Sequence, residues 1–170
     1  MKKNKFLLMM TLCLTLSSCE SCEEKEWNEL PPETQKGANT FGCYVNGKLF
    51  VVKSRLIATY FKSSNSLSVG GYSADGSDIG IYVMNIEENT PVVISVASYA
   101  EFTNKNRMCP QFFGRENGEV FLTRFDTVNL IVSGRFHFQS QCAGISDEII
   151  GDSTVFITDG RFDVRLLINN

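Results

Sequence analysis

The ten residues Leu130-Ile131-Val132-Ser133-Gly134-Arg135-Phe136-His137-Phe138-Gln139 alternate in polarity. Leu130, Val132, Gly134, Phe136 and Phe138 share one parity; Ile131, Ser133, Arg135, His137 and Gln139 share the other. A period of two is the mark of a strand with one buried and one wet face. Asp126-Thr127-Val128-Asn129 is turn chemistry, and it joins this strand to a second run, Glu119 to Asp126. The same grammar continues in both directions. Phe41 to Val45 and Lys48 to Lys53 flank Asn46-Gly47, the pair that best supplies the two positive φ angles of a type I′ hairpin turn. Leu56 to Phe61, Ser66 to Tyr72, Ile79 to Ile86 and Val92 to Ser98 are further β-rich runs. The last run, Thr154 to Ile168, is interrupted by Asp159-Gly160, as a hairpin turn or as a bulge. No capped 3.6-residue periodicity interrupts residues 40–170. The pattern predicts an all-β fold: an antiparallel β-sandwich or barrel of about 8–10 strands.

Composition agrees with one globular domain. The chain has 170 residues, 43% hydrophobic, with thirteen Phe, too apolar to stay disordered. The formal net charge of −3 excludes a broadly basic nucleic-acid binder. A single His excludes a multi-histidine metal centre, and neither a phosphate-cradling glycine loop nor any cofactor motif is present.

The first residues form an address. Lys2, Lys3 and Lys5 precede an uncharged apolar run, Phe6 to Leu16, too short to span a bilayer and typical of a secretory signal. Leu16-Ser17-Ser18-Cys19 resembles the lipobox of bacterial lipoproteins. That resemblance implies a signal peptide at 1–18 and lipidation of Cys19, so that the protein meets the membrane through an N-terminal lipid with palmitate-type acyl chains. Cleavage by the ordinary signal peptidase, giving a soluble secreted protein, is the alternative. Removing 1–18 deletes three Lys and no acid, leaving 13 basic against 19 acidic residues. Residues 19–39, rich in Glu and carrying Pro31-Pro32, read as an acidic flexible tether, and 40–170 as the β domain. Trp27, its one large apolar group, could pack on the domain or at the membrane interface. Cys19-Glu20-Ser21-Cys22-Glu23-Glu24 also resembles the acidic export signal of Bacteroidetes lipoproteins. It implies an outer-membrane location, on the cell surface; a periplasm-facing location is the alternative.

Three stretches carry a wider resemblance: Leu30 to Lys48 (LPPETQ, then NTFGCYVNGK), Leu122 to Phe136, and Ile157 to Val164 (ITDGRFDV). Together they resemble an uncharacterised Bacteroidetes lipoprotein family, a domain of unknown function. The resemblance implies a lipoprotein with β architecture; it brings no activity and no catalytic residues. The middle of the chain, about 53–115, matches weakly and would form a variable surface.

Few residues suggest chemistry. With Cys19 lipidated, Cys22, Cys43, Cys109 and Cys142 remain, and an exported compartment permits disulfides. Cys109 and Cys142 lie in turn-rich loops enclosing the 119–139 hairpin, so a Cys109–Cys142 bridge is expected, with Cys43 a buried free thiol. A zinc site is not expected, because the domain has no C-x-x-C pair. His137 reads as a rim histidine. Asp126 and Asp159 read as turn residues, and Arg161 with Asp163 as an ion pair on one strand face. The acidic loops at Asp75/Asp78 and Asp147-Glu148/Asp152 lack the calcium-loop pattern and read as solvated. Phe112-Phe113, in a Cys/Pro/Gly loop, and Tyr99 are candidates for an exposed binding surface; a core or disulfide-capping role is the alternative for the Phe pair. The expected function is therefore non-enzymatic binding or surface interaction, with an extracellular glycan or protein as ligand. A carboxylate-based glycan or peptide hydrolase, and a periplasmic inhibitor or assembly factor, are the alternatives.

Overall fold

The computed structural model describes residues 27–52, 54–93, 99–103, 111–114, 117–143 and 149–170. The signal peptide, Cys19 and Cys109 lie outside these residues. Among them the chain forms twelve strands and a single 3-10 turn, Lys62–Ser64. In chain order the strands are β1 (Thr40–Val45), β2 (Lys48–Val52), β3 (Ser54–Phe61), β4 (Ser66–Tyr72), β5 (Asp78–Met84) and β6 (Pro91–Val93). They continue as β7 (Tyr99–Thr103), β8 (Gln111–Gly114), β9 (Glu119–Asp126), β10 (Ile131–Ala143), β11 (Ile149–Arg165) and β12 (Leu167–Asn169).

Two sheets pack face to face as a sandwich, which resolves the choice between sandwich and barrel. Hydrogen bonding runs β12-β3-β4-β5-β7-β8-β10-β11-β1-β2, with β9 on β10 and β6 on β9. The long strand β10 is the seam. Its first half, Ile131 to His137, pairs with β9 in one layer, and Gln141-Cys142 pairs with β8 of the other. The second crossing is Leu166, 2% exposed, whose N–H donates to the Leu130 carbonyl before β12 joins β3 in parallel. That pairing departs from the all-antiparallel expectation.

Alternation builds the core between the layers. Ile79, Ile81 and Val83 of β5 point inward, as do Val132, Phe136 and Phe138 of β10. Phe136 lies 5.1 Å from Phe41 and 6.3 Å from both Phe138 and Phe162, centroid to centroid. Burying each such ring contributes roughly 1.5–3 kcal/mol, so this aromatic layer is a large share of what holds the sandwich shut. At the β1–β2 hairpin Asn46 and Gly47 both have positive φ, 49° and 75°, as the type I′ reading requires.

The strand count exceeds the 8–10 expected because β7 and β8 are only five and four residues long. Phe112 and Phe113 are therefore on a paired strand and not in a loop: β8 lies between β7 and β10, with Phe112 opposite Phe102 and Cys142. Asp159-Gly160 is a bulge and not a hairpin turn, because β11 runs straight through it. The register jumps from Phe136↔Gly160 to Phe138↔Ile157 on one side, and from Gly42↔Arg161 to Tyr44↔Thr158 on the other. Asp159 takes the left-handed conformation (φ 53°), one that Asp tolerates better than most residues. At Gly160 the Phe136 ring occupies the space a side chain would need, since a Cβ there would lie 2.5 Å from the ring carbons. Gly160→Ala is expected to destabilise the domain by about 1–3 kcal/mol through overpacking. Urea unfolding checks this, and an unchanged midpoint contradicts the packing described.

Candidate functional site

The outer face of β10 and β11 is where the structure departs most from the sequence reading. Ile131, Ser133 and Asp163 project away from the core, yet they are 7%, 0% and 1% exposed. What covers them is the chain's own N-terminal segment. Residues 31–39, expected to be flexible tether, lie along the sheet, with Pro31 buried and packed on Gly42. The fixed body of the protein thus begins before Thr40.

Asp163 is the anchor of this strap. Its carboxylate accepts hydrogen bonds from the Thr34 hydroxyl (2.5 Å) and the Ser133 hydroxyl (2.8 Å). It also accepts the backbone N–H groups of Lys36 (3.1 Å), Gly37 (2.8 Å) and Ala38 (3.1 Å). Gly37 has φ 70°, which lets three successive amides turn toward one acceptor. Burial alone pushes the carboxyl pKa up; the bonds from Thr34, Ala38, Ser133 and Lys36 outweigh it, holding Asp163 below the ordinary carboxylate value. The expected Arg161–Asp163 ion pair does not form, because these five donors saturate the carboxylate. Arg161 instead donates from Nη1 to the Pro31 carbonyl at 3.3 Å.

Other contacts register the strap. Arg135 pairs with Glu33 at 2.7 Å, Arg124 donates to the Gln35 carbonyl, and the Arg165 N–H donates to Asn39 Oδ1 at 3.1 Å. The Arg135–Glu33 pair is open to solvent, its side chains 61% and 43% exposed, and such pairs contribute about 0–1 kcal/mol. Charge-assisted hydrogen bonds to a buried carboxylate are stronger, about 1.5–3 kcal/mol each. The docking energy therefore sits at Asp163.

Beside the strap runs an open groove of about 680 Å³. Its floor is the Thr158-Asp159-Gly160 bulge with Phe121 and Phe136, and Arg135, His137, Arg161 and Glu119 line it. Glu33 of the strap and Pro91 of β6 complete the wall. His137 is exposed at this rim. Three of the residues singled out from sequence, His137, Asp159 and Arg161, thus meet in one place. The strap was missed, since its acidic, proline-containing composition carries no periodicity.

The remaining candidates lie elsewhere. Asp126 opens the β9–β10 turn: it accepts the N–H groups of Asn129 (2.7 Å) and Val128 (3.0 Å) and pairs with Arg124 at 2.7 Å. The Asn129 amide and Arg124 hold its carboxyl far below the usual range. Cys43 is a buried free thiol, pushed up to about 12 by burial, and serves packing. Asp78, on the other sheet, is pushed up by burial and by Glu101, against a hydrogen bond from Thr103. Tyr99 stands opposite Tyr82 on β7, beside β8. Asp147 and Glu148 lie outside the described residues, among which no group of three or more His, Cys, Asp or Glu could hold a metal ion.

No family model matches the chain, and neither a curated protein nor a solved structure shows significant similarity to it.

Asp163→Asn is expected to cost about 2–4 kcal/mol, because the amide keeps one acceptor and turns a donor toward the strap amides. The pH dependence follows from the lowered pKa. Its contribution is fully present above the unfolded value of 3.8 and is lost as pH falls through the folded value. Urea unfolding of both proteins from pH 7 down to pH 3 should show the gap closing toward acid. A gap that stays constant removes Asp163 from this role.

Proposed function

We propose that the protein is a lipid-anchored outer-membrane protein, held through Cys19, whose β-sandwich acts as a non-enzymatic binding module at the cell surface. The observation that carries the binding reading is the 680 Å³ groove, lined by both charged and apolar residues and walled by a strap fixed to the sheet. Its size is that of a small-ligand cleft. A rigid sheet with a bulge at its floor presents side chains in fixed positions, as binding requires. The resemblance to the uncharacterised lipoprotein family belongs to the same proposal.

Strap docking gives the anchor a physical consequence. With the chain fixed from Pro31, twelve residues, Cys19 to Leu30, separate the lipid from the domain. They span at most about 40 Å, which holds the groove close to the bilayer. A Cys109–Cys142 disulfide belongs to the proposal too; Cys142 lies on β10 opposite Phe112, and Cys109 lies outside the described residues.

Protease treatment of intact cells tests this, with Cys19→Ala cells in parallel. The account expects wild-type protein in the membrane fraction and cleaved on intact cells, and the variant lost from that fraction. Wild-type protein protected until lysis rejects the surface location, and an unchanged membrane fraction for the variant rejects the anchor.

A further inference from the structure

The groove's charges say what it takes. Glu33 is paired with Arg135, which leaves Arg161, Glu119 and Asp159 as the other fully charged groups lining the groove. Arg161 is half-buried: its Nη1 donates one long bond to the Pro31 carbonyl, and its Nε is buried without an acceptor, so its terminal Nη atoms are what it can offer a ligand. It is in no ion pair among the described residues. An anionic ligand would meet two carboxylates, and a cationic one would meet the guanidinium. A hydroxyl suits both, because it accepts from Arg161 and donates to Glu119 or Asp159. A row of hydroxyls also matches the ring nitrogens of His137 in either role. A peptide is less suited. Extended peptides are held by adding a strand to a sheet edge, whereas this floor is a sheet face, and Pro91 at its border has no N–H to offer.

We propose that the groove over the Asp159-Gly160 bulge binds a neutral, hydroxyl-rich chain, an uncharged oligosaccharide. Arg161 supplies its donors, and Glu119 and Asp159 its acceptors. This deepens the binding-module reading and rests on it.

Isothermal titration of the full-length mature protein in detergent micelles tests the assignment. The probes are maltoheptaose, cellohexaose, mannohexaose and laminarihexaose, against polygalacturonate and chondroitin sulfate. At least one neutral oligosaccharide should bind, with affinity insensitive to salt. Glu119→Gln and Asp159→Asn should each weaken it roughly tenfold or more, the loss of one charge-assisted hydrogen bond. Both variants are fold-safe: Glu119 is exposed, and Asn tolerates the left-handed backbone at 159. Binding only to the acidic polymers, no binding to any neutral probe, or neutral binding untouched by both variants overturns the sugar assignment. A protein or acidic ligand whose binding those variants weaken would overturn it while leaving the binding-module reading standing.

Discussion

A carboxylate that is 1% exposed must find its solvation inside the protein, and at Asp163 that solvation is the N-terminal strap. Five donors replace water around it: two hydroxyls and three consecutive backbone amides. Three of the five come from residues 36–38 and a fourth from Thr34, so undocking the strap would strand a charge on the sheet with Ser133 as its one remaining protein donor. Leaving such a charge without partners is costly, which makes the strap part of the fold rather than an appendage. Arg161, Arg135 and Arg124 then fix its path over the sheet.

The groove depends on the same arrangement. Arg161 and Asp163 are two apart on β11, and both hold the strap, through Pro31 and residues 34–38. Just before them the Asp159-Gly160 bulge shifts the register of β11, and Gly160 makes room for the Phe136 ring beneath. Core packing below, strap docking beside and side-chain presentation above meet within six residues, Thr158 to Asp163. The bulge redirects side chains where a regular ladder would place them in strict alternation, a use bulges often serve beside binding sites.

Much of this was legible in the residues. The alternation of 130–139 gave β10 and its buried face, and the Asn46-Gly47 pair gave a hairpin of the right type. Both are local signals, written in period and turn chemistry. The strands β7 and β8 were illegible because four or five residues hold too few alternations, and Cys-Pro beside Phe112-Phe113 resembles a loop. The parallel β12–β3 pair was illegible because it joins chain segments more than a hundred residues apart. At the site, His137, Asp159 and Arg161 were each visible as single residues, but their convergence needs the β10–β11 register. Asp163 read as half of an ion pair because a sequence shows the nearest opposite charge, two residues away. The backbone amides that outcompete it, 125–127 positions distant, leave no trace in composition.

Amide hydrogen exchange at Lys36, Gly37 and Ala38, read residue by residue by NMR at neutral pH, examines the strap directly. Donation to a buried carboxylate predicts protection at these three amides comparable to that of the β10 and β11 ladder, in a segment with no strand of its own. Exchange at the rate of an unstructured chain, with β10 and β11 still protected, would mean that Asp163 does not hold the strap.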